Sequence, residues 1–180
     1  EIPVLFHSED ENLTRSRGAL MANLAEVYSG VKIVAMHAGA FGAPQFMDHP
    51  DFNPNYPNDL RTLVQEMIDA AVAHPNIYLE TSCLAYPEKA QRLYKATREH
   101  PDLMKQIVTG SDYPILEDHP VHHKHNKFEQ QESALIEAGF TDADIGKFYD
   151  NVRNVMPLVT ARELSKKPMR QYTCAGLDSL

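Results

Sequence analysis

Four short apolar runs in this sequence end on residue types that can bind a metal or move a proton. IPVLFH closes on His7, VKIVAMH on His37, and NIYLETS on the stretch Glu80, Thr81, Ser82, while QIVTGSDYPI runs into Asp112. Imidazole nitrogens and a carboxylate converging on one point suit Zn²⁺ or a similar divalent ion. Each residue alone has an ordinary explanation. A histidine at a strand end is commonly a hydrogen-bonded structural residue, and Asp ahead of an X-Pro step is a common way to leave a strand. Neither a turn nor a core account predicts the recurrence of such residues at equivalent points of successive units. That recurrence makes His7, His37 and Asp112 the candidate metal set, with Asp112 and His37 also the candidate catalytic groups.

Those positions are useful only if the chain brings the four run-ends to one place. Residues 2–7 are apolar enough for a buried strand, and a helix is expected over about 12–29, with a stripe of Leu13, Leu20, Leu24, Val27 and Tyr28 stopped by Gly30. A second strand at 31–37 precedes a long Gly/Pro/Asn/Asp-rich loop, 38–58. Leu60, Leu63, Val64, Met67, Ile68 and Ala71 then recur at helical spacing, ending before Pro75. A third strand at 76–82 leads to a helix opened by Pro87, with Ala90, Leu93 and Tyr94 facing inward. The fourth strand is 106–111. After a His-rich loop come a helix closed by Gly139 and a last one over about 141–155, where Thr141 and Asp144 have the spacing of an N-cap and its N3 partner. Four apolar strands separated by helices predict an α/β fold with a parallel sheet, functional at the C-terminal strand ends. Periodicity leaves two architectures, a doubly wound sheet and part of a (β/α)8 barrel. A whole barrel takes about 250 residues, so four units are half of one.

The runs IPVLFH, VKIVAMHAGAF, PNIYLETS, IVTGSDYPI and FYDNVRNVM resemble, in order, the strand-end signatures of the amidohydrolase-related metal-dependent TIM-barrel hydrolases. That family includes decarboxylases of the aminocarboxymuconate-semialdehyde type. The likeness spans about residues 2–158, and Gly-Ser-Asp-Tyr-Pro after two strand-end histidines is its most specific part. It implies four consecutive βα units forming the C-terminal half of a TIM barrel over 1–160, with a C-terminal extension over 161–180. His7 would then be a metal ligand ending the fifth barrel strand. His37, ending the sixth, would hydrogen-bond the bound water or substrate, or itself be a ligand. Asp112, ending the eighth, would bind the metal and take a proton from the bound water. Asn151 matches a structural position in the closing helix. The family's first-strand His-x-His pair has no counterpart at a strand end; His123 and His125 form the only such pair and lie in a polar loop. The expected activity is hydrolysis of an ester, lactone or amide of a small-molecule substrate, with Zn²⁺ as the expected ion. Decarboxylation on the same site is the alternative, and a non-catalytic half-barrel interaction subunit is a third.

Composition narrows the partners. A net charge of −8 in 180 residues disfavours nucleic acid and anionic membrane, and no apolar stretch reaches the roughly 18 residues of a membrane span. Cys83 and Cys174 are too few for a disulfide framework, so a reducing cytoplasm is the expected setting. The chain opens directly on a strand with no initiator Met, which predicts a piece of a longer protein. With His7 and Asp112 as two metal ligands where zinc wants three or four, it is expected to be inactive alone unless the missing half is present as another chain. Its open sheet edges predict self-association or pairing with an N-terminal half-barrel. AGAFGAP, residues 38–44, lacks the spacing of a dinucleotide loop, and the aromatics Phe41, Phe46, Phe52 and Tyr56 fit two readings equally, lining a pocket for an aromatic or unsaturated ring or packing the long loop down. Ser82 and Cys83 carry no nucleophile signature and read as packing at the barrel mouth.

Overall fold

The structure, a computed structural model, describes residues 3–7, 17–39, 60–82, 87–110 and 128–156. Its sheet consists of β1 (Val4–Phe6), β2 (Ile33–Ala35), β3 (Ile77–Glu80) and β4 (Ile107–Val108), all parallel and ordered as in the sequence. Between and after them run α1 (Gly18–Val27), α2 (Leu60–Ala73), α3 (Pro87–Glu99), α4 (Phe128–Ala138) and α5 (Asp142–Val155). Sequential order is what a barrel segment requires, whereas a doubly wound sheet reverses direction at a switch point. The fold is therefore four consecutive βα units, half of a (β/α)8 barrel.

The strands alternate as the pleat dictates. Ile33, Ala35, Ile77, Leu79 and Ile107 pack outward into one cluster with the helices, including Met21, Leu63, Met67, Leu93, Leu135 and Phe148. Val34 and Val108 belong to a separate, smaller cluster, joined there by Val152 and Val155 from the end of α5. Lys32 Nζ also donates to the Asn154 carbonyl, so α5 lies under the sheet end opposite His37.

Side-chain amides fasten that lower end. Asn76 Nδ2 donates to the carbonyls of Ala25 (3.2 Å), Tyr28 (3.3 Å) and Val31 (3.0 Å). One unit on, Gln106 Nε2 reaches Ala71 (2.7 Å), His74 (3.1 Å) and Ile77 (2.8 Å). Asn151 Nδ2 closes the series on Met104 and Ile107, both at 2.8 Å. Each amide satisfies carbonyls left over where a helix or a turn feeds the next strand.

One local expectation needs revision. The buried face of α1 is Gly18, Met21 and Ala25, while Val27 and Tyr28 are exposed. The small residues win because α1 presses on α2: a Cβ at position 18 would overlap the Glu66 main chain, and Arg17 pairs with Glu66 at 2.6 Å. Residues 101–105 also form a 3₁₀ turn ahead of β4, which Pro101 opens at its first position. By contrast the expected capping box on α5 is present, with Thr141 and Asp144 each bonding the other's main-chain N–H.

Candidate metal centre

The parallel register levels the strand ends. Phe6 lies opposite Ala35, Ala35 opposite Leu79, and Glu80 opposite Val108, so His7, His37, Ser82 and Gly110 all follow on the same edge. Beyond Ala35 the chain does not continue as a strand but tightens into a 3₁₀ turn, Met36–Gly39. Within it His37 (φ 59°) and Ala38 (φ 49°) are both left-handed, followed by Gly39 at φ 94°. Two successive non-glycine residues there cost of order 1–3 kcal/mol each, a strain typical of functional sites. The turn folds the His37 side chain into the protein, where it is fully buried.

The His37 imidazole meets His7 edge to face, ring centroids 4.8 Å apart. On its other side Nδ1 lies 2.8 Å from Ser82 Oγ, and Ser82 Oγ donates to Glu80 Oε2. The Glu80 carboxylate also accepts the main-chain N–H of His37 (3.1 Å) and of Ser82 (2.8 Å). Burial, the neighbouring His7 and the Lys89 ammonium, in that order, lower the His37 pKa to about 3, against a weaker opposing effect of Ser82. His37 is therefore neutral at physiological pH, the form in which imidazole binds metals.

Lys89 is the group that sequence reading missed. It sits in the first turn of α3, is 4% exposed, and is near enough for its charge to act on His37. A lysine on a helix reads as a solvated residue. Only its position, shortly after a strand's C-terminal end, hinted at the site. Glu80 was visible as a strand-end acid, but its inward direction was not. Ser82, read as packing, is a hydrogen-bonding partner of His37 because β2 and β3 are adjacent and in register. With its amide nitrogen turned toward the strand ends, buried Gln131 donates to the carbonyls of Thr81 (3.2 Å) and Gly110 (3.1 Å), tying β3 to β4 there.

Asp112, Cys83, His123, His125, and the loop aromatics Phe41, Phe46, Phe52 and Tyr56 lie outside the described residues. Among the described residues no three His, Cys, Asp or Glu side chains form a group able to hold an ion. What the structure does bring together is His7 and His37. A shared ion needs each nitrogen about 2.0–2.1 Å away, and two imidazoles at this ring separation, one of them held neutral, fit part of such a donor set.

No protein-family profile matches the chain, and no curated protein matches it. Among solved structures it is similar to a dihydroxybenzoic acid decarboxylase from Polaromonas, determined with bound manganese and the inhibitor 2-nitroresorcinol, at 22% identity and a TM-score of 0.46. That match covers 86% of this chain and 42% of the other. It is also similar to a 2,6-dihydroxybenzoate decarboxylase from Rhizobium, at 20% identity and a TM-score of 0.44, over 79% of this chain and 40% of that one. The chain thus spans about two-fifths of the length of the structures it matches.

Proposed function

We propose that this chain supplies four of the eight units of a metal-dependent barrel enzyme of the amidohydrolase-related type, with His7, His37 and Asp112 in its metal set. The observation that carries this reading is the meeting of two strand-end imidazoles at 4.8 Å, one of them fully buried. A divalent ion, for which we propose Zn²⁺, would lower the pKa of a bound water and polarise an acyl or carboxyl group. Asp112, on the loop after β4, would be the carboxylate that takes a proton. His37, held neutral, would present an imidazole lone pair, and Glu80 with Ser82 would hold that ring in place. The reaction we propose is hydrolysis of an ester, lactone or amide. Decarboxylation is the second reading: Lys89, a buried lysine whose charge acts on His37, would attract the carboxylate of an acid substrate.

The open edges of the sheet bear on assembly. Among the described residues β1 pairs with β2 alone, and Val4 and Leu5 are 48% and 52% exposed. We propose that further strands, from a second copy or from a separate half-barrel, close these edges and complete the metal set.

The test is metal content and turnover of the assembled protein. Stoichiometric metal that is lost in both His7→Ala and Asp112→Ala supports the site; equal metal in all three sinks it. Release of CO2 from 2,6-dihydroxybenzoate, set against hydrolysis of an aryl ester and a lactone, separates the two reactions.

A further inference from the structure

We propose that Glu80 and Ser82 act as a relay fixing His37 in the Nδ1–H tautomer, which leaves the lone pair on Nε2. A serine hydroxyl has one proton to give. Ser82 Oγ donates it to Glu80 Oε2, while the same Oγ lies 2.8 Å from His37 Nδ1. With its proton committed to the carboxylate, Oγ can only accept from the imidazole, so Nδ1 carries the hydrogen. Glu80 is held in the accepting role by its surroundings. Oε2 also takes the His37 N–H at 3.1 Å and Oε1 takes the Ser82 N–H at 2.8 Å. With Glu80 ionised, reversing the hydroxyl would leave Oγ and Oε2 facing each other with no hydrogen between them.

The network closes on itself. The left-handed turn at His37 lets one residue approach Glu80 through its own N–H and through its ring by way of Ser82. Glu80 and Ser82 are thus positioning residues. Their chemical effect is to make Nε2 a ligand or a base and to withhold it as a proton donor. That consequence rests on the proposed metal site, but the tautomer itself does not.

Long-range ¹H–¹⁵N correlation spectra of the metal-free full chain at neutral pH read the tautomer directly, with His37 assigned from the signals lost in His37→Asn. We expect Nδ1 in the protonated range and Nε2 in the unprotonated range. Ser82→Ala moves both nitrogens toward the averaged positions of exchanging tautomers, and Ser82→Thr, which keeps a hydroxyl, restores the original pattern. An Nε2–H tautomer in the unsubstituted protein overturns the relay, and so does a Ser82→Ala spectrum identical to it. The unsubstituted protein decides the first point even if a variant fails to fold. Because no metal is present, loss of the metal reading leaves this result standing.

Discussion

Gly110 and the Glu80 carboxylate lie so close that a Cβ on residue 110 would overlap Oε1. The residue two beyond the end of β4 is therefore small because a buried acid from the neighbouring strand occupies the space. Gly110→Ala should push Glu80 off its donors, leaving the N–H groups of His37 and Ser82 poorly satisfied, at a cost of ~1–3 kcal/mol. Gly30→Ala meets no atom within 4 Å and is the matched control, expected to be near neutral. Urea midpoints of the two variants make the comparison; equal midpoints would show that the Glu80 contact does not constrain the fold.

The stability of the metal-free protein should depend on His37. Its pKa is about 3 in the fold, against roughly 6.5 for a free imidazole. As pH falls, the unfolded chain takes up the proton first, so the contribution is complete above about 6.5 and is lost progressively toward 3. The loss is of order a few kcal/mol over that window. Chemical denaturation at stepped pH should show this slope, and His37→Asn should flatten it. A slope that survives the substitution would assign it to other groups.

The lower amides set a different expectation. Gln106→Leu removes the donor shared by three carbonyls, two of them in buried contacts, and should cost ~1–3 kcal/mol. Asn151→Leu should behave alike through Met104 and Ile107. Neither touches the upper edge, so the His37 tautomer signals should stay where they are. A large shift in those signals would show that the two ends are coupled.

For the α5 cap, Thr141→Ala should lose about 1 kcal/mol, and Thr141→Ser should recover most of it. Thermal midpoints suffice to check this.

Much of this architecture was readable because its signals are local. Apolar runs of strand length, Pro87 opening a helix, Gly139 closing one, and Thr141 three residues before Asp144 each act within a turn or two of the chain. The site was readable only as a row of candidates. That His37 meets His7 depends on the register of β1 on β2, and that it meets Ser82 and Glu80 depends on β2 lying beside β3. No spacing along the chain encodes those distances. The buried ammonium of Lys89 and the small-residue face of α1 were missed for the same reason. What decides each is the neighbour across the interface, Glu66 in the second case, and not the residue's own type.

Burial rises steeply from one side of the sheet to the other. Val4 and Leu5 of β1 are exposed, all three residues of β2 are buried, and Ile77, Leu79 and Ile107 are wholly enclosed. Amide protons should accordingly exchange in a spatial order: those of β1 through frequent local opening, those of β3 and β4 only in rarer, more global events. His7 follows the exposed β1 and is itself exposed, whereas His37 is fully buried. One half of the proposed metal pair would therefore be preorganised, while the other would be captured when an ion or a partner strand arrives.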